Sequence, residues 1–528
     1  MKKTRKALCA ALALSLTVGT GACAGGGGGG RDAADTQATT APAAGTTTTT
    51  LVNELDDQID YDEMASIDEI DAANEIGTGP LYVAGQKAGV VKGLCYYDFT
   101  NETPELTQLL AERFGGTIET EITTSGTAYF EKLNMLIAAG DSPDLVRYDW
   151  DSFPWAISKK LYTPLDDWLD IDSPLWADEK EIIEQFSFLG KHYYFPQEPM
   201  PGHSIIYNRV TLQEAGLPDP MDLYDEGNWN WDTFYDMMRT WVEQGDEHIG
   251  LAGSQWSALF FANTTGKKVM EIRGNEFLNN MRDSDIQRAM DFLSSAKRDG
   301  LIGDGWVPPG DAFIDGNLLF LSMGWEWGFT SAQEGLFKNN LDYEFAFVPF
   351  PKDPQADKYY LSSDSVGYLV PAGAKNIQGG VDYILCSRIY STDAEIIAAD
   401  RAEKMSTDPV YYPKCPGCKY NFKENDQEDL TVCPECNTAR KQKFKEYYDE
   451  RQLNLLDDMK DPDKFGMVYD ASLGLGEEFS KIFVNSLEES LFDGPIWYGT
   501  SYTQLRDTYY NMIEAYLDPY RAALSEGT

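Results

Sequence analysis

The chain has 528 residues, too many for one ordinary domain, and 42% of them are hydrophobic, enough for two lobes with sizeable cores. Its 86 acidic against 43 basic side chains give a formal charge of −43, which argues against nucleic acid or anionic lipid surfaces as partners of the folded body. The three histidines, His192, His203 and His248, sit in no metal or triad motif, and no phosphate-cradling or nucleophile-elbow sequence occurs, so nothing points to catalysis.

At the start, Lys2, Lys3, Arg5 and Lys6 precede an apolar run from Ala7 to Val18, small residues follow to Ala22, and then comes Cys23. That order reads as a secretory signal over 1–22 with Cys23 as the acylated residue of an exported lipoprotein, an ordinary cleaved signal without lipid being the competing reading. The run is too short to cross a membrane as a helix of the mature chain. Losing the four cations takes the charge to −43 − 4 = −47. Six glycines, a Thr/Ala stretch and an acidic run from Asp56 to Glu75 follow, a composition that buries little apolar area, so 23–87 is expected to be an extended tether to the bilayer.

In the body, 88–528, strand and helix patterns alternate. Residues 90–97 read as a buried strand, 104–114 as an amphipathic helix, 117–123 as a β-branched strand and 128–139 as a helix stopped by Gly140. Ser142-Pro143-Asp144 then turns into a strand at 145–148. This alternation indicates an α/β fold, in which ligands sit at the carboxyl ends of strands. Further on, 205–208, 318–323 and 345–350 read as strands, and 231–243 and 285–298 as helices. Two predicted strand ends are crowded with aromatic and acidic residues: Tyr148, Trp150, Asp151 and Trp155 in one, Trp325, Glu326 and Trp327 in the other. Sugars present flat C–H faces edged by hydroxyls, so aromatic platforms beside carboxylates suit them, whereas an anionic solute would want Arg or Lys there. Aromatic residues mostly pack in cores, and it is position in strand-end loops that singles these out. Trp231, next to a helix-start signal, is assigned to structure.

Four stretches resemble the family 1 extracellular solute-binding proteins, in that family's order: GDSPDLVRYDWDSFPWAISKKLYTPLDDW at 140–168, SIIYNRVTLQEAGL at 204–217 with NWNWDTF at 228–234, FIDGNLLFLSMGWEW at 313–327, and SVGYLVPAGAKN at 365–376. The resemblance implies a two-lobed, periplasmic-binding-protein-like fold with a hinge and a cleft between the lobes. It also implies a monomer that captures a carbohydrate, an oligosaccharide first of all, and delivers it to an ABC permease without chemistry. Tyr148, Asp151 and Trp325 fall where relatives hold an aromatic, an acid and a stacking Trp. Asp98 follows the first strand, where a polar contact is usual. Trp256 is a weaker second-lobe candidate, and Tyr207 and Asn208 are expected to support the hinge. A surface-anchored glycan-acting enzyme and an adhesion or sensory module would share the tether and the acidic body, but neither explains the order of these stretches.

One segment, 411–445, departs from the family. Cys415-Pro-Gly-Cys418 and Cys433-Pro-Glu-Cys436, fourteen residues apart, have the spacing of a four-thiolate zinc ribbon. Export leaves two disulfides as the competing reading. Four cysteines leave no open coordination position, so any Zn²⁺ here is structural. The segment reads as a peripheral staple or a docking point, and Tyr420, Phe422, Leu430 and Val432 could fold over the metal.

Overall fold

The computed structural model describes residues 76–253, 256–337, 344–405, 407–411, 414–422, 432–440, 442–446, 448–480 and 502–525. In chain order the described strands are β1 (Gly89–Cys95), β2 (Gly116–Ile122), β3 (Leu145–Arg147), β4 (Phe195–Pro201), β5 (His203–Asn208), β6 (Ile249–Gly253), β7 (Met270–Arg273), β8 (Glu276–Asn279), β9 (Ile302–Trp306), β10 (Leu318–Gly324), β11 (Phe345–Val348), β12 (Tyr359–Leu369), β13 (Thr407–Tyr411), β14 (Gln442–Glu446) and β15 (Phe465–Val468).

Two sheets make two lobes. The first has the order β15-β12-β3-β1-β2, with β4 added on β12, and the second β11-β5-β10-β6-β9. In the first lobe β1 runs parallel to both β2 and β3, as βα alternation requires. Pro104 sits at the start of the helix Pro104–Phe114, and Gly115 ends it with φ of 59°, a left-handed conformation that costs a glycine little. Phe99, Leu110, Tyr368 and Tyr383 fill this lobe's core. Cys95 and Cys386 are buried there as free thiols.

The second lobe packs Trp229, Phe234, Phe320 and Phe347 around its sheet. Trp231 opens the helix Trp231–Val242 and is 4% exposed, a structural role as expected. The cap, however, is Asn230, whose side chain accepts from the amides of Asp232 and Thr233. Tyr207, next to last in β5, is wholly buried and donates to Asp219, while Asn208 caps the helix Arg209–Ala215.

The chain passes between lobes where β4 runs into β5 through Gly202, whose amide donates to Ser362 O at 2.7 Å. It returns along β12, which pairs with β15, β4 and β3 in turn. The packed body begins earlier than the tether boundary at 87 would have it. Thr78 bridges Leu169, and Tyr82 donates to Asp382 at 2.7 Å, so 76–87 lie against the first lobe. Residues 23–75 and Cys23 lie outside the described residues. Among those described, no helix is long and apolar enough to cross a membrane.

Candidate functional site: facing strand ends of the two lobes

β3 delivers the chain to Tyr148, Trp150 and Asp151. Asp149 and Ser152 cap each other across the tight turn Trp150–Ser152, fixing how the next side chains point. Trp150 is partly exposed. On the other lobe, β6 ends at Gly253 and Trp256 heads the helix Ser257–Asn263. The two indoles meet edge to face, centroids 5.7 Å apart at 88°. One ring from each lobe therefore lies at the mutual boundary, and an edge-to-face pair contributes roughly 0.5–1.5 kcal/mol beyond area burial.

Asp151 turns back and accepts the Gly476 amide at 2.8 Å. Burial, helped by the neighbouring Asp149 charge, pushes its carboxyl up to about 6, against the pull of that amide and of Lys159. Trp155 packs on Phe130 and carries the Lys159 ammonium 3.6 Å from its ring centroid. The turn Ala471–Gly474 presses on this loop, and Tyr469 donates to Phe153 O at 2.8 Å. The structure thus gathers Trp150, Asp151, Trp155 and Trp256 around one turn.

Of the other expected site residues, Tyr148, Trp325 and Asp98 make their contacts elsewhere. Tyr148 is 2% exposed, its hydroxyl 2.9 Å from that of Tyr469 and its ring against Phe186 and Tyr194, so it belongs to the core. Trp325 is 6% exposed and lies on Phe347, because a helix, Trp325–Phe337, begins at that residue and turns the ring inward. Trp327 is in the same helix. Asp98 caps the helix Phe99–Glu102, accepting from the Thr100 amide at 3.0 Å and its hydroxyl at 2.8 Å, and the amide bond holds its carboxyl below the usual range.

Two residues at the boundary had no signal in the sequence. His203 stands opposite Gly324 in the β5–β10 register, its ring centroid 4.1 Å from that of Phe260. Burial pulls its imidazole down to about 3, so it is neutral at ordinary pH. Asp470, following β15, is fully buried and accepts from the amides of Val269 and Met270 and from Asn263 Nδ2 at 3.1 Å. It ties the first sheet's edge to the second lobe. A surface hollow of about 510 Å³ lined by Thr78, Asp166, Asp170 and His192 shares no residue with the facing strand ends.

Residues 99–384 match the model of the bacterial extracellular solute-binding proteins. The chain belongs to this family. No curated protein matches it. Among solved structures, it is similar to the ABC-transporter-associated binding protein of B. animalis subsp. lactis in complex with beta-1,6-galactobiose, at 13% identity and a TM-score of 0.51, covering 83% of this chain and 98% of that one. It is also similar to the galacto-N-biose/lacto-N-biose I-binding protein of Bifidobacterium longum in complex with lacto-N-biose, at 11% and 0.52, covering 82% and 97%. A third is UgpB from Mycobacterium tuberculosis in complex with glycerophosphocholine, at 16% and 0.52, covering 81% and 98%. These likenesses fix the fold of this solute-binding protein as the two-lobed one, and the family works outside the membrane.

The four-cysteine segment of this solute-binding protein stands at the tip of a stalk made by β13 and β14, paired from Thr407↔Glu446 to Tyr411↔Gln442. The two knuckles are built alike. The Cys415 amide donates to Tyr420 O and the Cys433 amide to Thr438 O, both at 2.8 Å. Lys419 and Asn437, each just past a second cysteine, take left-handed φ of 64° and 57°. All four Sγ atoms lie within 4.8 Å of one another, with Cys415–Cys436 and Cys418–Cys433 at 3.5 Å. Bonds of about 2.3 Å in a tetrahedron put sulfurs roughly 3.8 Å apart, whereas a disulfide needs about 2.05 Å. The donor set and spacing therefore fit a thiolate-bound metal. Tyr420 and Phe422 pack beside it, with the Arg440 guanidinium 4.2 Å from the Phe422 ring, while Val432 is exposed and Leu430 lies outside the described residues.

Proposed function

We propose that this solute-binding protein is the capturing component of an ABC importer, tethered to the membrane through an acylated Cys23, and that its solute is a carbohydrate. The observation that carries the carbohydrate reading is the meeting of Trp150 and Trp256 across the lobes, with Asp151 on the same turn as Trp150, and Trp155 opening the helix Trp155–Ser158 just after it. Two indole faces that part when the lobes open offer platforms to the flat sides of a sugar ring, and a carboxylate beside them accepts hydroxyl hydrogen bonds. Saccharides in similar binding proteins support the same class. Trp150, Asp151, Trp155 and Trp256 are the side chains we assign to the solute. Asp98, Tyr148 and Trp325 are kept as supports of the segments that carry them.

The test is calorimetry after a thermal-shift screen of mono- and oligosaccharides, including galactobiose and lacto-N-biose, with glycerophosphocholine as the non-sugar arm. A saccharide bound at micromolar or tighter affinity is expected. Binding of glycerophosphocholine alone would replace the carbohydrate reading. For the ribbon we propose Zn²⁺ on Cys415, Cys418, Cys433 and Cys436. Metal analysis should find one zinc per chain, and two disulfides in the mass spectrum would sink that assignment.

A further inference from the structure

The stalk that carries the ribbon does not grow from one lobe. β13 follows the helix Ala394–Lys404, which continues from Ile377–Thr392, the helix whose Val381, Tyr383 and Leu385 lie in the first lobe's core. β14 instead leads to Tyr448, 5.3 Å from Phe329 between ring centroids in the second lobe, and to Asp449, which accepts from Arg209 at 2.6 Å and caps the helix Glu450–Lys460. That helix is fastened to the second lobe by Gln452 on Phe345 O, by Tyr224 on Asp458 and by Arg451 on Asp222 and Asp225. The two roots also touch directly, Arg401 donating to Asp457 at 2.8 Å and to Asn454 at 2.7 Å. The ribbon therefore sits on a chain crossing between lobes, rather than on a peripheral loop.

We propose that the ribbon is a metal-operated clasp over the hinge: Zn²⁺ on the four thiolates holds the roots of β13 and β14 together, so metal occupancy and the relative placement of the lobes are coupled. This rests on the reading of the ribbon as a zinc site. A lone two-stranded ribbon is marginal in water. Without metal, the β13–β14 pairing must close a loop of 442 − 411 − 1 = 30 residues. With metal, the knuckles fold the loop's tip and leave only short links to each strand. The pairing then persists and keeps the helix Ala394–Lys404 against Glu450–Lys460. Coupling of this kind is reciprocal: whatever factor the metal changes in solute affinity, solute changes in metal affinity.

Hydrogen exchange on the full chain, under reducing conditions and without solute, tests this with Zn²⁺ as the only variable. Chelating the metal should raise exchange in 407–446 and also, by about fivefold or more, at the Val269 and Met270 amides that bond Asp470 across the lobes. Cys415→Ser with Cys418→Ser should show the stripped pattern and no response to chelator. A change confined to 407–446 overturns the clasp, and so does a protein that binds no zinc once its thiols are reduced. Since no sugar enters the experiment, failure of the carbohydrate reading leaves its outcome unchanged.

Discussion

Gly474→Ala is the sharpest test of how the candidate site is built. A Cβ placed on Gly474 would lie 1.8 Å from Phe153 O and 2.3 Å from Trp150 O, both backbone atoms of the site turn. Ordinary contact begins near 3.4 Å, so the turns must part by 3.4 − 1.8 = 1.6 Å. Overpacking of that kind costs about 1–3 kcal/mol. The same parting stretches the Gly476 bond to Asp151 and the Tyr469 bond to Phe153, each 2.8 Å, and a hydrogen bond to a charged acceptor contributes about 1.5–3 kcal/mol. We expect a loss of about 2 to 4 kcal/mol in urea denaturation, with weakened solute binding at protein concentrations where the fold persists. Gly310→Ala, whose nearest neighbour would be 3.7 Å away, is the control and should be near neutral. If the two variants lie within about 0.5 kcal/mol of each other, the close seating of 471–474 on 150–153 is not what shapes the loop.

Trp150→Ala and Trp256→Ala should each weaken saccharide binding by about 1–3 kcal/mol in calorimetry, and wild-type affinity in both would move the site elsewhere. Trp325→Ala should cost about 3–5 kcal/mol of stability by denaturation, as loss of a core ring does, rather than acting first on affinity. The Asp151 carboxyl, raised from 3.8 to about 6, takes up its proton more readily folded than unfolded, so its contribution to stability is full at pH below about 4 and is lost as pH rises through 6. Solute affinity should run the other way, falling as pH drops through 6 and the acceptor is neutralised, and Asp151→Asn should flatten both profiles. Arg388→Met should destabilise by about 3–5 kcal/mol on the same denaturation assay, because it breaks the ion pair with Glu179, which is wholly buried beside it, and removes the donors to Leu175 O and Gln197 O.

Signals that are physically local are legible in the sequence. Pro104, Gly115 and Gly140 bound their helices as proline and glycine chemistry predicts, and the hydrophobic strand at 318–323 is β10 almost residue for residue. β6, Ile-Gly-Leu-Ala-Gly, was invisible because its two glycines and short run match no strand pattern, although its end places Trp256. Trp325 looked like a platform because an aromatic follows a strand, and only the helix starting at that residue reveals that the ring turns inward. The partners of the site loop, Gly474 and Gly476, lie more than 300 residues further along the chain, since Asp151 and Gly476 are 325 apart, and no window along a sequence joins them. The Trp150–Trp256 contact is hidden for the same reason, its two residues standing 256 − 150 = 106 positions apart.

The order in which the first sheet is assembled bears on how such a chain leaves the cell. β3 pairs with β12 through Arg147↔Tyr368, so its outer edge stays open until 368 − 147 = 221 more residues have been made. The second lobe's sheet lies inside that interval, and it needs β10 and β11 before β5 has both neighbours. Neither lobe can therefore settle early in synthesis, since long-range pairing is slow to form and rewards the chain only at the end. For a protein of a family that works outside the membrane, that lateness is useful: the growing polypeptide remains loose enough to thread a translocation channel. Nascent chains ending near residue 355 should accordingly be cut readily by protease, and those extended past β15 should resist.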